Sequence, residues 1–263
     1  MPPLLLLKLI ATPLLVGGAS LASRRWGPAI GGWIVSLPLT SGPVLFFLAL
    51  DRGPQFASDA TVGTLLGMGA IAGFSVGYLA GSRRGPALAF ASASACYVLV
   101  GIAVQPVTGW PFPLLAALVV VVLALVIRLL PVGGGGPAAT GHPAWDLPAR
   151  IVVGTTLVVG LTTVAGLLGP VTSGLVSTFP VYVSVLTVFE HLRAGRSGAL
   201  GVLRGMLVGL IGTVAFYCTL RALLVPYGVA VAFPAAVAVT LAAGAVALRT
   251  VRASLVAPEP EPI

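Results

Sequence analysis

Charge is the scarcest commodity in this chain of 263 residues. Asp, Glu, Lys and Arg together make up 8%, with only six acidic residues. A soluble domain carries about 25% charged residues, so there are too few here to coat a water-facing surface. Cysteine is nearly missing. Cys96 and Cys218 each stand inside an apolar run, which excludes a disulfide framework and fits small buried hydrophobes. The two histidines, His142 and His191, have no ligand-spaced Cys or His beside them, so no metal site or haem attachment and no cofactor is expected. There is no P-loop, no Gly-x-Ser-x-Gly and no serine with a histidine base inside an apolar run. The sequence therefore gives no reason to expect an enzyme.

What remains is abundant apolar sequence. Hydrophobic residues make up 58%, and they fall into runs of the length that crosses a bilayer, about 17–25 residues. The expected fold class is all-α: a polytopic transmembrane helix bundle of about nine spans. The runs are 3–22, 28–50, 56–80, 86–104, 112–130, 149–168, 170–189, 199–224 and 229–248. Arg24-Arg25, Asp51 to Pro54, Arg83 to Pro86 and Gln105 to Pro113 part the first five. Gly133 to Pro148 reads as a linker, and Gly169-Pro170, Glu190 to Gly198 and Pro226 to Gly228 part the rest. The first run resembles a signal peptide, with Ser20-Leu21-Ala22 as a cleavage-like site. Lys8 is its only early charge and follows four leucines, so retention as a membrane helix is expected.

The formal net charge of +8 has the pattern of cytoplasmic loops rather than of a nucleic-acid surface. Counting on alternate sides of nine spans puts 11 of the 14 cations on one face. They are Arg24, Arg25, Arg83, Arg84, Arg128, Arg150, Arg193, Arg196, Arg204, Arg249 and Arg252, against Lys8, Arg52 and Arg221. The rule that positive loops stay inside predicts an outside N-terminus and a cytoplasmic C-terminus in a plasma (inner) membrane. Trp26 and Trp110 stand near span ends, where an interfacial aromatic belt belongs.

The chain also repeats itself. Residues 8–53 laid on 150–195 match at ten of 46 positions, and six of the ten are Gly or Pro, including Gly27/Gly169, Pro28/Pro170, Pro38/Pro180 and Gly53/Gly195. After a four-residue shift in a loop, 63–83 continue on 201–221 through Gly63/Gly201, Gly67/Gly205, Met68/Met206 and Arg83/Arg221. Span 1 then corresponds to span 6, and an offset of five spans inverts the second copy. The expected domains are a first four-helix repeat (1–110), a linking helix (111–131), a flexible cytoplasmic linker (132–148), an inverted four-helix repeat (149–250) and a disordered tail (251–263). Inverted repeats are a common build of secondary transporters.

The candidate solute site lies where two spans carry a central proline. Proline removes a helical hydrogen bond and clashes with the preceding turn, and in lipid the freed groups need partners. Ser36, Pro38, Thr40 and Ser41 surround one such point, and Ser177, Thr178, Pro180, Tyr182 and Ser184 the other. Their amides and hydroxyls would bind a small polar or anionic solute. The competing reading has those hydroxyls mending their own backbone. Asp59 and Glu190 are the candidates for ion coupling, against a reading in which Asp59 reaches the interface and Glu190 closes a cytoplasmic loop cluster with His191 and Arg193. Arg204, a turn inside its span, either attracts an anion or reaches the headgroups, and the second is the expectation. Glycines at intervals of four (69, 73, 77, 81 and 201, 205, 209) give close-packing helix faces, which also offer a surface for homo-oligomers.

Three functions fit: a secondary transporter of a small polar or anionic solute, a lipid or lipid-phosphate translocator, and a non-transporting scaffold or complex subunit. A polar midplane cavity closed to lipid favours the first. A groove open to lipid favours the second, and unbroken helices with a packed interior favour the third.

Overall fold

A computed structural model of the chain describes residues 3–38, 41–131, 145–167 and 179–256. Within them the protein is an all-helical, largely apolar bundle. In chain order the helices are α1 (Pro3–Trp26), α2 (Pro28–Ser36), α3 (Ser41–Asp51), α4 (Pro54–Gly81), α5 (Pro86–Ala103), α6 (Phe112–Leu129), α7 (Asp146–Leu167), α8 (Val181–Tyr227) and α9 (Val229–Val256). Short 3-10 turns follow α4 at Ser82–Arg84 and α5 at Gln105–Gly109. Among the described residues five segments are long and apolar enough to cross a membrane: Pro28–Asp51, Pro54–Arg84, Pro86–Ala103, Phe112–Leu129 and Val181–Tyr227. Outward faces carry bare aliphatic side chains, such as Leu99, Val121, Leu125 and Leu241, which suits a lipid solvent. Trp26, Trp110, Trp145 and Tyr227 are exposed at helix ends, as an interfacial belt requires.

Local chemistry explains the boundaries. Pro28, Pro54 and Pro86 each begin a helix, where the missing N–H costs nothing. A proline bars its predecessor from the α-helical region. The predecessors Gly27, Gly53 and Gly85 take φ of 96°, 92° and 106°. Gly195, the repeat mate of Gly53, also has positive φ, 68°, and it breaks α8. Unbroken, that 47-residue helix would be about 70 Å long, twice what a bilayer needs. The expected loop at 190–198 is thus a sharp kink inside continuous hydrogen bonding. α7 starts at Asp146, inside the segment expected to be linker, and α9 continues to Val256.

Packing follows the glycines. On α4, a Cβ at Gly73, Gly77 or Gly81 would lie within 3.3 Å of the backbone of Cys96, Ala93 or Ala89, so these positions hold α4 against α5. α2 and the distal half of α8 cross equally closely. A Cβ at Gly32 would overlap the Val202 carbonyl, and one at Gly205 would overlap that of Ala29. The glycine faces are thus occupied inside the chain at these points, while Gly63 and Gly69 have open space before them. α9 lies along α8, α1 flanks α2 and α7, and α6 rests on α4 and α8.

Candidate functional site

The span from Pro28 to Asp51 is interrupted near its middle. α2 stops at Ser36, Leu37 is extended (φ −61°, ψ 147°), and α3 starts at Ser41. Leu37 precedes Pro38, so its extended backbone is the conformation the proline imposes. The carbonyl of Ser36 at this open helix end accepts the Thr213 hydroxyl at 2.7 Å. Ser36 Oγ itself donates to the Trp33 carbonyl at 2.6 Å. Ser41 Oγ receives the phenol of Tyr217. Gly42 N–H returns to the Pro38 carbonyl at 2.8 Å. Thr213 and Tyr217 thus tie α2 and α3 to α8, while the Ser36 hydroxyl and the Gly42 amide are engaged within their own segment.

At the repeat mate, α8 begins directly after Pro180, and Ser184 Oγ donates back to the Pro180 carbonyl at 2.8 Å. Tyr182 packs against the valine cluster of Val16, Val158 and Val185. Phe179 inserts among Phe74, Phe90 and Tyr97, with ring centroids 5.3–6.2 Å away. Ser36 and Ser41 therefore meet the distal half of α8, whereas Pro180 and Ser184 keep to one another. Thr40, Ser177 and Thr178 lie outside the described residues.

Beside the α2–α3 break is a cavity of about 450 Å³. Leu37, Pro38, Gly42, Pro43, Phe46 and Phe47 form one wall, and Phe216 of α8 with Phe233, Val237, Thr240 and Leu241 of α9 the other. Phe46 stacks edge-on to Phe233 at 5.2 Å. Among the described wall residues Thr240 alone has a polar side chain, and its hydroxyl is donated to the Ala236 carbonyl at 2.7 Å. Phe47, Val237 and Leu241 are 47–52% exposed, so the cavity opens on the outer surface of the bundle.

The ionisable candidates part company. Asp59 is exposed, bonded to Gln55 at 3.1 Å and 3.6 Å from Arg221. A pair so open to solvent contributes little. Arg221 also donates to the Ser58 carbonyl at 2.8 Å and stands 4.9 Å from the Phe112 ring centre. Glu190 is wholly buried in α8 rather than set in a loop. It is paired with Arg150 at 3.2 Å and Arg193 at 2.8 Å. His191 turns away from it to the Tyr78 hydroxyl, 3.0 Å off. Arg150, fully buried, also reaches Asp146 at 3.0 Å, and Asp146 meets Arg24 at 2.7 Å. Burial alone would raise the Asp146 carboxyl, but the charge of Arg150 and the hydrogen bonds from both arginines outweigh it and hold it below its ordinary value.

Sequence reading missed Asp146 and Arg150 as members of a site, although their i,i+4 spacing at the head of an apolar run was a visible sign. It also misplaced Arg204. Rather than reaching headgroups, its Nη1 donates to the carbonyls of Ile127 and Leu130 at 2.8 and 2.9 Å, satisfying the end of α6.

No known protein family, curated protein or solved structure matches this chain. Its function has to be read from its own geometry.

Proposed function

We propose that this chain is a membrane translocator of an amphipathic, lipid-like molecule, whose apolar part passes through the cavity at the α2–α3 break. The observation that carries this reading is that cavity: apolar on both walls, about 450 Å³ and open where lipid would lie. Its size falls in the ordinary range of ligand pockets, about 300–1,000 Å³. An acyl or isoprenoid chain leaving the bilayer for these walls exchanges one hydrocarbon solvent for another at little cost. A small polar solute would lose its hydration and find no free side-chain donor among the described wall residues, at about 2–7 kcal/mol for each unpaired group. The geometry thus favours a lipid translocator over a carrier of small polar solutes. The broken span beside an open cavity also weighs against the scaffold reading, which favours unbroken helices and a packed interior.

The repeat supplies a means of alternating access. In this reading residues 1–110 and 149–250 are oppositely inserted halves joined by 111–131, with the N-terminus outside and the C-terminus in the cytoplasm of a plasma membrane. Two findings support it. Gly53, between α3 and α4, and its repeat mate Gly195, at the kink in α8, both take positive φ. The mates Arg83 and Arg221 stand at opposite ends of α4: Arg83 follows its last turn, while Arg221 pairs with Asp59 near its start.

The test is transbilayer movement of a headgroup-labelled phospholipid in proteoliposomes. Wild type accelerates loss of label to an impermeant quencher. Gly42→Leu and Val237→Trp, which project bulk into the cavity and across its mouth, slow it at least tenfold while keeping the thermal midpoint. Movement no faster than in protein-free vesicles would overturn the reading.

A further inference from the structure

Three guanidiniums and two carboxylates are closed into the bundle where α1, α7 and α8 meet. They form one chain of ion pairs, Arg24–Asp146–Arg150–Glu190–Arg193, with N···O separations of 2.7–3.2 Å. Arg150 and Glu190 have no solvent exposure, and Arg24 and Arg193 keep 17% and 18%. Each carboxylate is bracketed by two arginines, so one positive charge is left without a partner. Arginine cannot shed that charge by deprotonation.

Among the described residues the donors are not all used either. Arg150 spends Nε on Asp146 and Nη2 on Glu190, and its buried Nη1 has no partner. Arg24 spends Nη2 on Asp146, and its buried Nε has none. Ser23 touches Glu190 Oε1 at 3.4 Å. One helical turn back on the same faces, Ser20 Oγ and Thr187 Oγ1 are also buried and unpartnered. The Phe189 ring, 5.1 Å from Arg150 Cζ, covers the guanidinium face and leaves its edge to bind. A buried ion cluster offsets the cost of leaving water only when its geometry is good and its spare donors are met, and an unbalanced charge adds to that cost. This one lacks an acceptor carrying negative charge. A tetrahedral oxyanion supplies both, and guanidinium edges with flanking hydroxyls are the groups that recognise it.

We propose that the Arg24–Arg150 cluster is a binding site for a phosphate-type oxyanion, carried by a free ion or by a lipid headgroup, reached past the partly exposed Arg24 and Arg193. Arg150 Nη1 and Arg24 Nε are the charged donors, and Ser20 and Thr187 add neutral ones. The site stands apart from the cavity at the α2–α3 break and does not depend on what that cavity carries.

The experiment follows the thermal midpoint of the purified full chain in detergent. One arm adds inorganic phosphate against sodium chloride of equal ionic strength. The other adds mixed micelles of phosphatidic acid against the diacylglycerol of the same chains. A saturable rise with phosphate identifies a free oxyanion as sufficient. A rise with phosphatidic acid but not with phosphate identifies the headgroup. Either supports the proposal. Arg24→Gln leaves Asp146 paired to Arg150 and neutralises the cluster, so it folds and weakens the response at least tenfold. The charge-balanced double variant Arg150→Gln/Glu190→Gln weakens it similarly. No shift beyond the sodium chloride and diacylglycerol controls would overturn the proposal, as would an unaltered response in both variants.

Discussion

The crossing of α2 over α8 makes the sharpest quantitative demand on the account. A methyl group added at Gly205 would overlap the Ala29 carbonyl and lie 2.7 Å from Ala29 Cα. The obstacle is backbone, so no rotamer change relieves it and α2 itself has to shift. Overpacking of this kind costs about 1–3 kcal/mol, and the absence of a yielding side chain puts Gly205→Ala near the top of that range. Exchanging Gly for Ala inside a helix returns about 1 kcal/mol of propensity. The net loss is about 2 kcal/mol, a fall in unfolding midpoint of about 4–8 °C for a chain of this size. Gly63→Ala is the control: it also lies inside a helix, and nothing stands within 4 Å of its Cβ. It keeps the propensity gain and should match wild type or exceed it by about 2–4 °C. Gly32→Ala strikes the same crossing from the other helix, through the Val202 carbonyl. The Gly32→Ala/Gly205→Ala pair should therefore fall short of additivity, since the first methyl already parts the helices. Thermal unfolding of the four variants and wild type in one detergent reads all of this. A Gly205→Ala protein melting at or above the Gly63→Ala midpoint would refute the packing argument.

Other perturbations separate the polar groups. Glu190→Ala leaves the cluster's three arginines with the single carboxylate of Asp146, Arg150 being fully buried, and should cost about 3–5 kcal/mol, whereas Asp59→Asn should cost less than about 1 kcal/mol; denaturant titration compares them. Thr213→Val removes the hydroxyl that serves the Ser36 carbonyl and should cost about 1–3 kcal/mol by the same titration. Asp146 has a lowered carboxyl, so its pairing stabilises the fold above the unfolded-chain value of about 3.9 and is lost as pH falls through the lower folded value. The midpoint of wild type should drop on acidification below about pH 4, and that of Asp146→Asn should be lower at neutral pH and respond less to acid.

Much of the scaffold could be read from residue order because its causes are local. Gly-Pro at 27–28, 53–54 and 85–86 marks three helix starts, since a proline fits the first turn and expels its predecessor. Pro38 announced its break for the same reason. The close-packing role of Gly73, Gly77 and Gly205 followed from their spacing, although not the identity of each partner helix. What stayed hidden depends on contacts far apart in sequence. Arg150 finds Glu190 forty residues away and Arg24 finds Asp146 across 122. No spacing rule joins such partners, so Glu190 looked like part of a loop. Arg204 looked like a headgroup anchor because nothing in its own helix reveals that the end of α6 lies beside it. The cavity was equally invisible, because Phe216 and Phe233 on α8 and α9 form its far wall.

Exchange between two oppositely inserted halves stands or falls with the direction in which each enters the bilayer. The direct measurement uses single cysteines at 83 and 221 on a background lacking Cys96 and Cys218, probed in intact cells and in inverted vesicles with a membrane-impermeant thiol reagent. With the halves inverted, Arg83→Cys reacts only in inverted vesicles and Arg221→Cys only in intact cells. Labelling of both from the same side would contradict that arrangement.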